Sequence, residues 1–107
     1  MMQPYVTTCG GFTEAKRIVE LALPRGAQVC PGNWSTQILG ASSVHLAAYS
    51  PITPFIEFAP AEVFNSPLRR ALQEAGFPVR GGTISVPDCS GVGYVLPDDI
   101  IKSFSLA

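Results

Sequence analysis

The stretch AQVCPGNWSTQILGASSVHLAAY, residues 27–49, contains the pattern that decides the fold of this chain. Its first part, AQVCP, is a short apolar run that ends at a proline and predicts a strand at 27–31. The chain then turns through Gly32. The Ala- and Leu-rich run that follows Thr36 is nearly uncharged and predicts a helix at 37–49, buried on much of its circumference. The stretch therefore predicts one strand–helix unit.

Similar units lie on both sides of this stretch. The opening residues 1–5 and the aromatic, proline-flanked run at 54–58 predict two further strands. Apolar side chains at helical spacing predict a helix near 13–23 with Thr13 as its N-cap, and a serine–proline pair begins another helix at 66–75. Strands and helices in this order form parallel sheet through right-handed crossovers, so the sequence predicts an α/β fold.

The last third of the chain has a different character. The phrase GGTISVPDCSGVGYVLPDDI is punctuated by Gly and Pro, and its short apolar runs at 84–86 and 92–96 predict extended strands joined by turns. The acidic pair at 98–99 predicts the cap of a final short helix. We therefore divide the chain into residues 1–76, with three strands and three helices, and an extended C-terminal segment at 77–107.

Composition and charge exclude several classes of protein. The chain has 107 residues, of which 47% are hydrophobic and 14% charged, as is typical of a globular domain. A formal net charge of −1 provides no basic field for nucleic acid and no polybasic patch for a membrane. Neither a membrane span nor a signal peptide is visible in the sequence, so we expect a cytoplasmic protein.

The cysteines and the single histidine do not form a recognisable reactive motif. Cys9, Cys30 and Cys89 form neither an even disulfide set nor a C-x-x-C pair, and we interpret them as buried thiols in a reducing compartment. His45 falls on the helix at 37–49, behind the predicted strand ends. We interpret it as a packed or surface histidine.

The candidate functional residues lie where the predicted strands end. In parallel α/β folds the chemistry collects at the C-terminal ends of the strands, which here are marked by Tyr5, Gly32 and Glu57. A charge within an apolar strand is costly unless it faces a polar site. Glu57 is therefore either a site residue or a solvent-facing edge residue.

Four stretches of the chain carry a family resemblance: QPYVTTCGGFTEAKRI, VCPGNWSTQILGASSVHLAA, PFIEF and GGTISVPDCSGVGYVL. The most specific element is the combination of a glycine pair at 10–11, a Pro-x-x-Trp turn at 31–34 and the phrase VPDCSGVG. With these features the chain resembles the end of the barrel domain in the mandelate racemase/muconate lactonizing enzyme group of the enolase superfamily. The resemblance implies a partial (β/α) barrel: about the last three strands of a modified (β/α)7β TIM-like barrel, followed by a segment that returns to the capping domain.

The resemblance also implies roles for particular positions. In many relatives the aspartate of a Q-P-D phrase orients the histidine of a P-H-x-W phrase for proton transfer. Tyr5 and Gly32 stand at those two positions here, so that dyad is lost. Glu57 matches the glutamate that hydrogen-bonds the substrate carboxylate in mandelate racemase-like members. Asn33 and Trp34 lie where relatives build the wall of the substrate pocket, although Trp34 can equally be a hydrophobic plug over the sheet end.

Metal chemistry in the related full-length family depends on Mg²⁺ held by three carboxylates on earlier strands. Those positions would precede residue 1, and the acidic residues of this chain suggest no replacement cluster. We therefore expect no metal site and no cofactor in this chain.

Two functional hypotheses follow. The first is a C-terminal fragment, inactive alone, of an enzyme that abstracts a proton alpha to a carboxylate with Mg²⁺, as an acid-sugar dehydratase or racemase does. The second is an assembly module that completes a barrel with another chain carrying the missing strands. We expect self-association or such a partner chain, and neither nucleic acid nor a membrane as partner. A third possibility is that Met1 is not the natural start and the protein is longer.

Overall fold

The computed structural model describes residues 1–60, 62–63 and 66–106, and this part of the chain contains four α-helices. They are α1 (Gly11–Ala22), α2 (Gln37–Tyr49), α3 (Pro67–Glu74) and α4 (Asp98–Phe104), with a short 3₁₀ turn at Leu23–Arg25 after α1. Within the described ranges, none of these helices is long and apolar enough to cross a membrane.

The start of α1 differs from the sequence prediction. Thr13 lies inside the first turn and is not the N-cap, which is Gly10 in a left-handed conformation with φ 107°. The glycine pair turns the chain early, because Gly11 N–H donates to the Val6 carbonyl at 3.0 Å and both glycines adopt a positive φ. The helix therefore begins two residues before the predicted start.

Local capping signals place α2 and α3 where the sequence predicts helices. The Thr36 hydroxyl accepts a hydrogen bond from Leu39 N–H at 3.4 Å at the start of α2. The Ser66 hydroxyl accepts one from Arg69 N–H at 3.2 Å at the start of α3. Each cap satisfies one of the main-chain donors that a helix N-terminus leaves without an intrahelical partner.

Three extended segments, 2–5, 28–32 and 52–57, lie side by side, and the segment 28–32 is in the middle. The bridge between Met2 and Val29 is parallel. The main-chain hydrogen bonds that join the segments, written donor to acceptor, are Met2 to Gln28 (2.8 Å), Cys30 to Met2 (2.8 Å), Gly32 to Pro4 (3.1 Å), Val29 to Ile52 (3.1 Å) and Glu57 to Pro31 (3.1 Å). The helices and these segments form a partial α/β arrangement.

Regular strands do not form at 1–5, 27–31 and 54–58, although the sequence predicts them there. Each of these segments contains a proline, Pro4, Pro31 or Pro54, which has no N–H to donate. In the described part of the chain the segments are extended and paired, but the hydrogen-bond ladder stays too short for a named strand.

The predicted strands at 84–86 and 92–96 are wrong. Neither run forms a strand, and the pairing described in this region is one antiparallel bridge between Arg80 and Thr83. It closes a turn through two glycines with φ 58° and 77°. Periodicity predicted strands here, but a strand also needs a neighbour with which to form hydrogen bonds.

The core forms where α1 and α2 pack against each other and against the middle segment. Eight of the 13 residues of α2 are buried, which agrees with the predicted burial of this helix. The hydrophobic core cluster of the described residues consists of Val6, Ala15, Val19, Ala22, Val29, Leu39 and Leu46.

The C-terminal segment returns to the rest of the chain. α4 packs against α3, and His45 Nε2 of α2 donates a hydrogen bond to the Val92 carbonyl at 3.2 Å. His45 is thus half-buried and packed against that segment, which is one of the two alternatives that the sequence left open. The N-cap of α4 is Pro97, so the acidic pair at 98–99 occupies the first turn and not the cap. There the two carboxylates stabilise the positive end of the helix dipole.

Packing of α2 predicts different costs for two neighbouring substitutions. Leu39 is 1% exposed and belongs to the core cluster, whereas Ile38 is 44% exposed on the same helix. We expect Leu39→Ala to lower the free energy of unfolding by about 2–5 kcal/mol, since it leaves a cavity, and Ile38→Ala to lower it by less than about 1 kcal/mol. Urea denaturation followed by circular dichroism measures both. Equal losses would contradict the placement of this core.

Candidate functional site

The structure brings two of the predicted site residues, Tyr5 and Gly32, into direct contact. A Cβ atom added to Gly32 would lie 2.6 Å from Cζ and 2.8 Å from Cδ2 of the Tyr5 ring. Real Cβ contacts are essentially never shorter than 3.0 Å. The ring of Tyr5 therefore occupies the space that a side chain at position 32 would need.

The main chain of Gly32 is held on two sides. Its N–H donates to the Pro4 carbonyl at 3.1 Å, and its carbonyl accepts a hydrogen bond from the Ser43 hydroxyl of α2 at 3.2 Å. Gly32 and Ser43 are both buried. The turn is thus fixed between the first extended segment and α2. A simple shift of the backbone could not relieve the clash between a larger side chain at position 32 and the Tyr5 ring.

Glu57 lies at the same end of the extended segments and is half-buried. Its carboxylate Oε1 accepts a hydrogen bond from Gln3 Nε2 at 2.8 Å, which joins the two outer segments across the middle one. Glu57 thus has a hydrogen-bond partner on the other outer segment. Gln3 was missed from the sequence; the available signal is that residues 3 and 5 of an extended segment share one face.

Cys30 lies beneath this end of the structure and is completely buried. Burial raises the pKa of the Cys30 thiol, the negative charge of Glu57 raises it further, and a main-chain hydrogen bond with Glu57 acts in the opposite direction. The thiolate is the reactive form of cysteine, so this thiol is not a nucleophile at neutral pH. Cys9 is half-buried, but Cys89 is exposed, so its interpretation as a buried thiol is wrong.

Asn33 and Trp34 differ in burial, although they are adjacent in the sequence. Trp34 is 40% exposed and does not fill the sheet end as a fully buried plug would, whereas Asn33 is 7% exposed. A Cβ atom on Gly40 of α2 would lie 3.1 Å from Asn33 Nδ2. The Asn33 carboxamide therefore faces the first turns of α2, and it lines a small cavity there.

Of the predicted site residues at this end of the structure, Glu57 contributes a hydrogen-bonded carboxylate and Tyr5 a phenol. Gly32 has no group that transfers a proton, and His45 is engaged with the C-terminal segment. Among residues 1–60, 62–63 and 66–106, no three His, Cys, Asp or Glu side chains are grouped to hold a metal ion. The described residues thus do not fit a Mg²⁺ site, which needs several oxygen ligands at one point.

The contact between Tyr5 and Gly32 predicts that substitutions at these two positions change the free energy of unfolding non-additively. We expect Gly32→Ala to destabilise the fold by about 1–3 kcal/mol, because the ring must leave its position. In the background of Tyr5→Ala the same change should cost clearly less, since the space is then empty. A double-mutant cycle measured by urea denaturation gives this coupling. Additive costs would show that the ring does not restrict position 32.

Glu57 also provides a prediction for Cys30. Glu57→Gln keeps the size of the side chain but removes the charge that opposes formation of the thiolate. We expect the pKa of Cys30 to fall in this variant, while burial still keeps it above its ordinary value. The ¹³Cβ shift of Cys30 followed against pH measures this effect, with the exposed Cys89 as an internal control. An unchanged Cys30 titration would contradict the coupling.

Comparisons with known proteins agree with the resemblance in the sequence. The model of the Enolase C-terminal domain-like family matches residues 1–100. D-galactarolactone cycloisomerase of Agrobacterium fabrum is 27% identical over 114 residues, which cover 99% of this chain and 29% of that protein. The crystal structure of a mandelate racemase/muconate lactonizing enzyme from Jannaschia sp. matches with a TM-score of 0.80 and 30% identity, over 98% of this chain and 26% of that one.

These matches cover nearly the whole of this chain but less than a third of each relative. The chain corresponds to one part of each of these proteins. The family model and the solved structure both point to the mandelate racemase/muconate lactonizing enzyme group. This chain belongs to the enolase superfamily, as a C-terminal part of the mandelate racemase/muconate lactonizing enzyme-like kind.

Proposed function

We propose that this chain is the C-terminal part of a barrel enzyme that abstracts a proton alpha to a carboxylate of an acid sugar or its lactone, and that it is inactive alone. The cycloisomerase similar to this chain is named for a sugar-acid lactone, which supports this class of substrate. A dehydratase or racemase acting on the same class is compatible with the same site. The partial barrel is part of this proposal, and the parallel extended segments support it.

The contact between Tyr5 and Gly32 is the observation that supports this proposal most directly. In many members of the related family these two positions hold the aspartate and histidine that move a proton, but here a phenol ring packs on a glycine. A phenol is a much weaker general base than an imidazole at neutral pH. Glu57 keeps the position that hydrogen-bonds a substrate carboxylate, yet its carboxylate is engaged with Gln3. The end of the segments thus retains a binding group without the neighbouring base.

Metal chemistry would need groups from outside the described residues. Mg²⁺ supplies stabilisation of the negative charge that develops when the proton leaves, and carboxylates must hold it. The described residues do not provide such a set. We therefore assign no metal-dependent step to this chain.

The purified chain should show no turnover of a panel of sugar acids and sugar lactones, with or without Mg²⁺. Proton exchange at the alpha position in D₂O, followed by NMR, is the most sensitive readout, and the cycloisomerase from Agrobacterium fabrum serves as the positive control. Turnover by the chain that is lost in Glu57→Gln would overturn the proposed inactivity.

A second candidate function is assembly with another polypeptide. In the described part of the chain, the main-chain bonds of the outer segments 2–5 and 52–57 run to the middle segment, except that the Tyr5 carbonyl accepts bonds from the N–H groups of Thr8 and Cys9 in the turn that follows. Beside the segment 52–57 lies an apolar groove of about 370 Å³ that includes Val44, Phe55 and Val86. Unpaired edges and an apolar groove are suited to an added strand. A neighbouring reading frame that encodes the earlier strands, with a lysine and three acidic strand ends, would favour this function.

Co-expression distinguishes this second function. We expect the chain to co-purify in a 1:1 complex with the part of the cycloisomerase that precedes the matched region. Phe55→Asp should abolish the complex, and Val95→Asp, at an exposed position that does not line the groove, should not. Sedimentation of the chain alone detects the competing self-association. Failure of the two parts to associate would contradict the assembly function.

A further inference from the structure

We draw no further inference here: the strongest candidate, the apolar groove of about 370 Å³ that lies beside the segment 52–57 between α2 and residues 79–86, carries nothing beyond the assembly already proposed, because nothing in the described part of the chain shows what covers it.

Discussion

The structure depends on the hydrogen bonding of the middle extended segment, 28–32, to a neighbour on each side. These main-chain bonds bring the ends of three distant parts of the chain to one place. Pro4, Pro31 and Pro54 limit the pairing, because each removes a main-chain donor. The arrangement therefore relies on the helices for its stability, and α1 and α2 bury the apolar side chains against this segment.

The contact of Tyr5 with Gly32 determines what this end of the structure can do. The ring fills the space above the turn, and the turn itself is held by Pro4 and by Ser43. A proton-transfer pair at these positions would need side chains on both residues, and the structure instead uses them for packing. Glu57 lies at the same end, where its carboxylate accepts a hydrogen bond from Gln3.

Helix α2 connects the separate features of the molecule. Ser43 holds the turn at Gly32, His45 holds the C-terminal segment through Val92, and the first turn lines the cavity that contains Asn33. Its burial on much of its circumference explains why it contains small and apolar residues and almost no charge. Because one helix carries these contacts, a change in its position would affect all of them together.

The sequence by itself determined the helices and the family. Caps such as Thr36 and Ser66 are local signals, and they act within one turn of the residues that they cap. Only the tertiary structure decided that Tyr5 covers Gly32, that Gln3 binds Glu57 and that no strand forms at 84–86 or 92–96. These outcomes join residues that are up to 54 positions apart, or depend on whether a neighbouring segment is present. Periodicity describes one segment at a time and contains no information about its neighbours, so side-chain partners and strand pairing follow only from the folded chain.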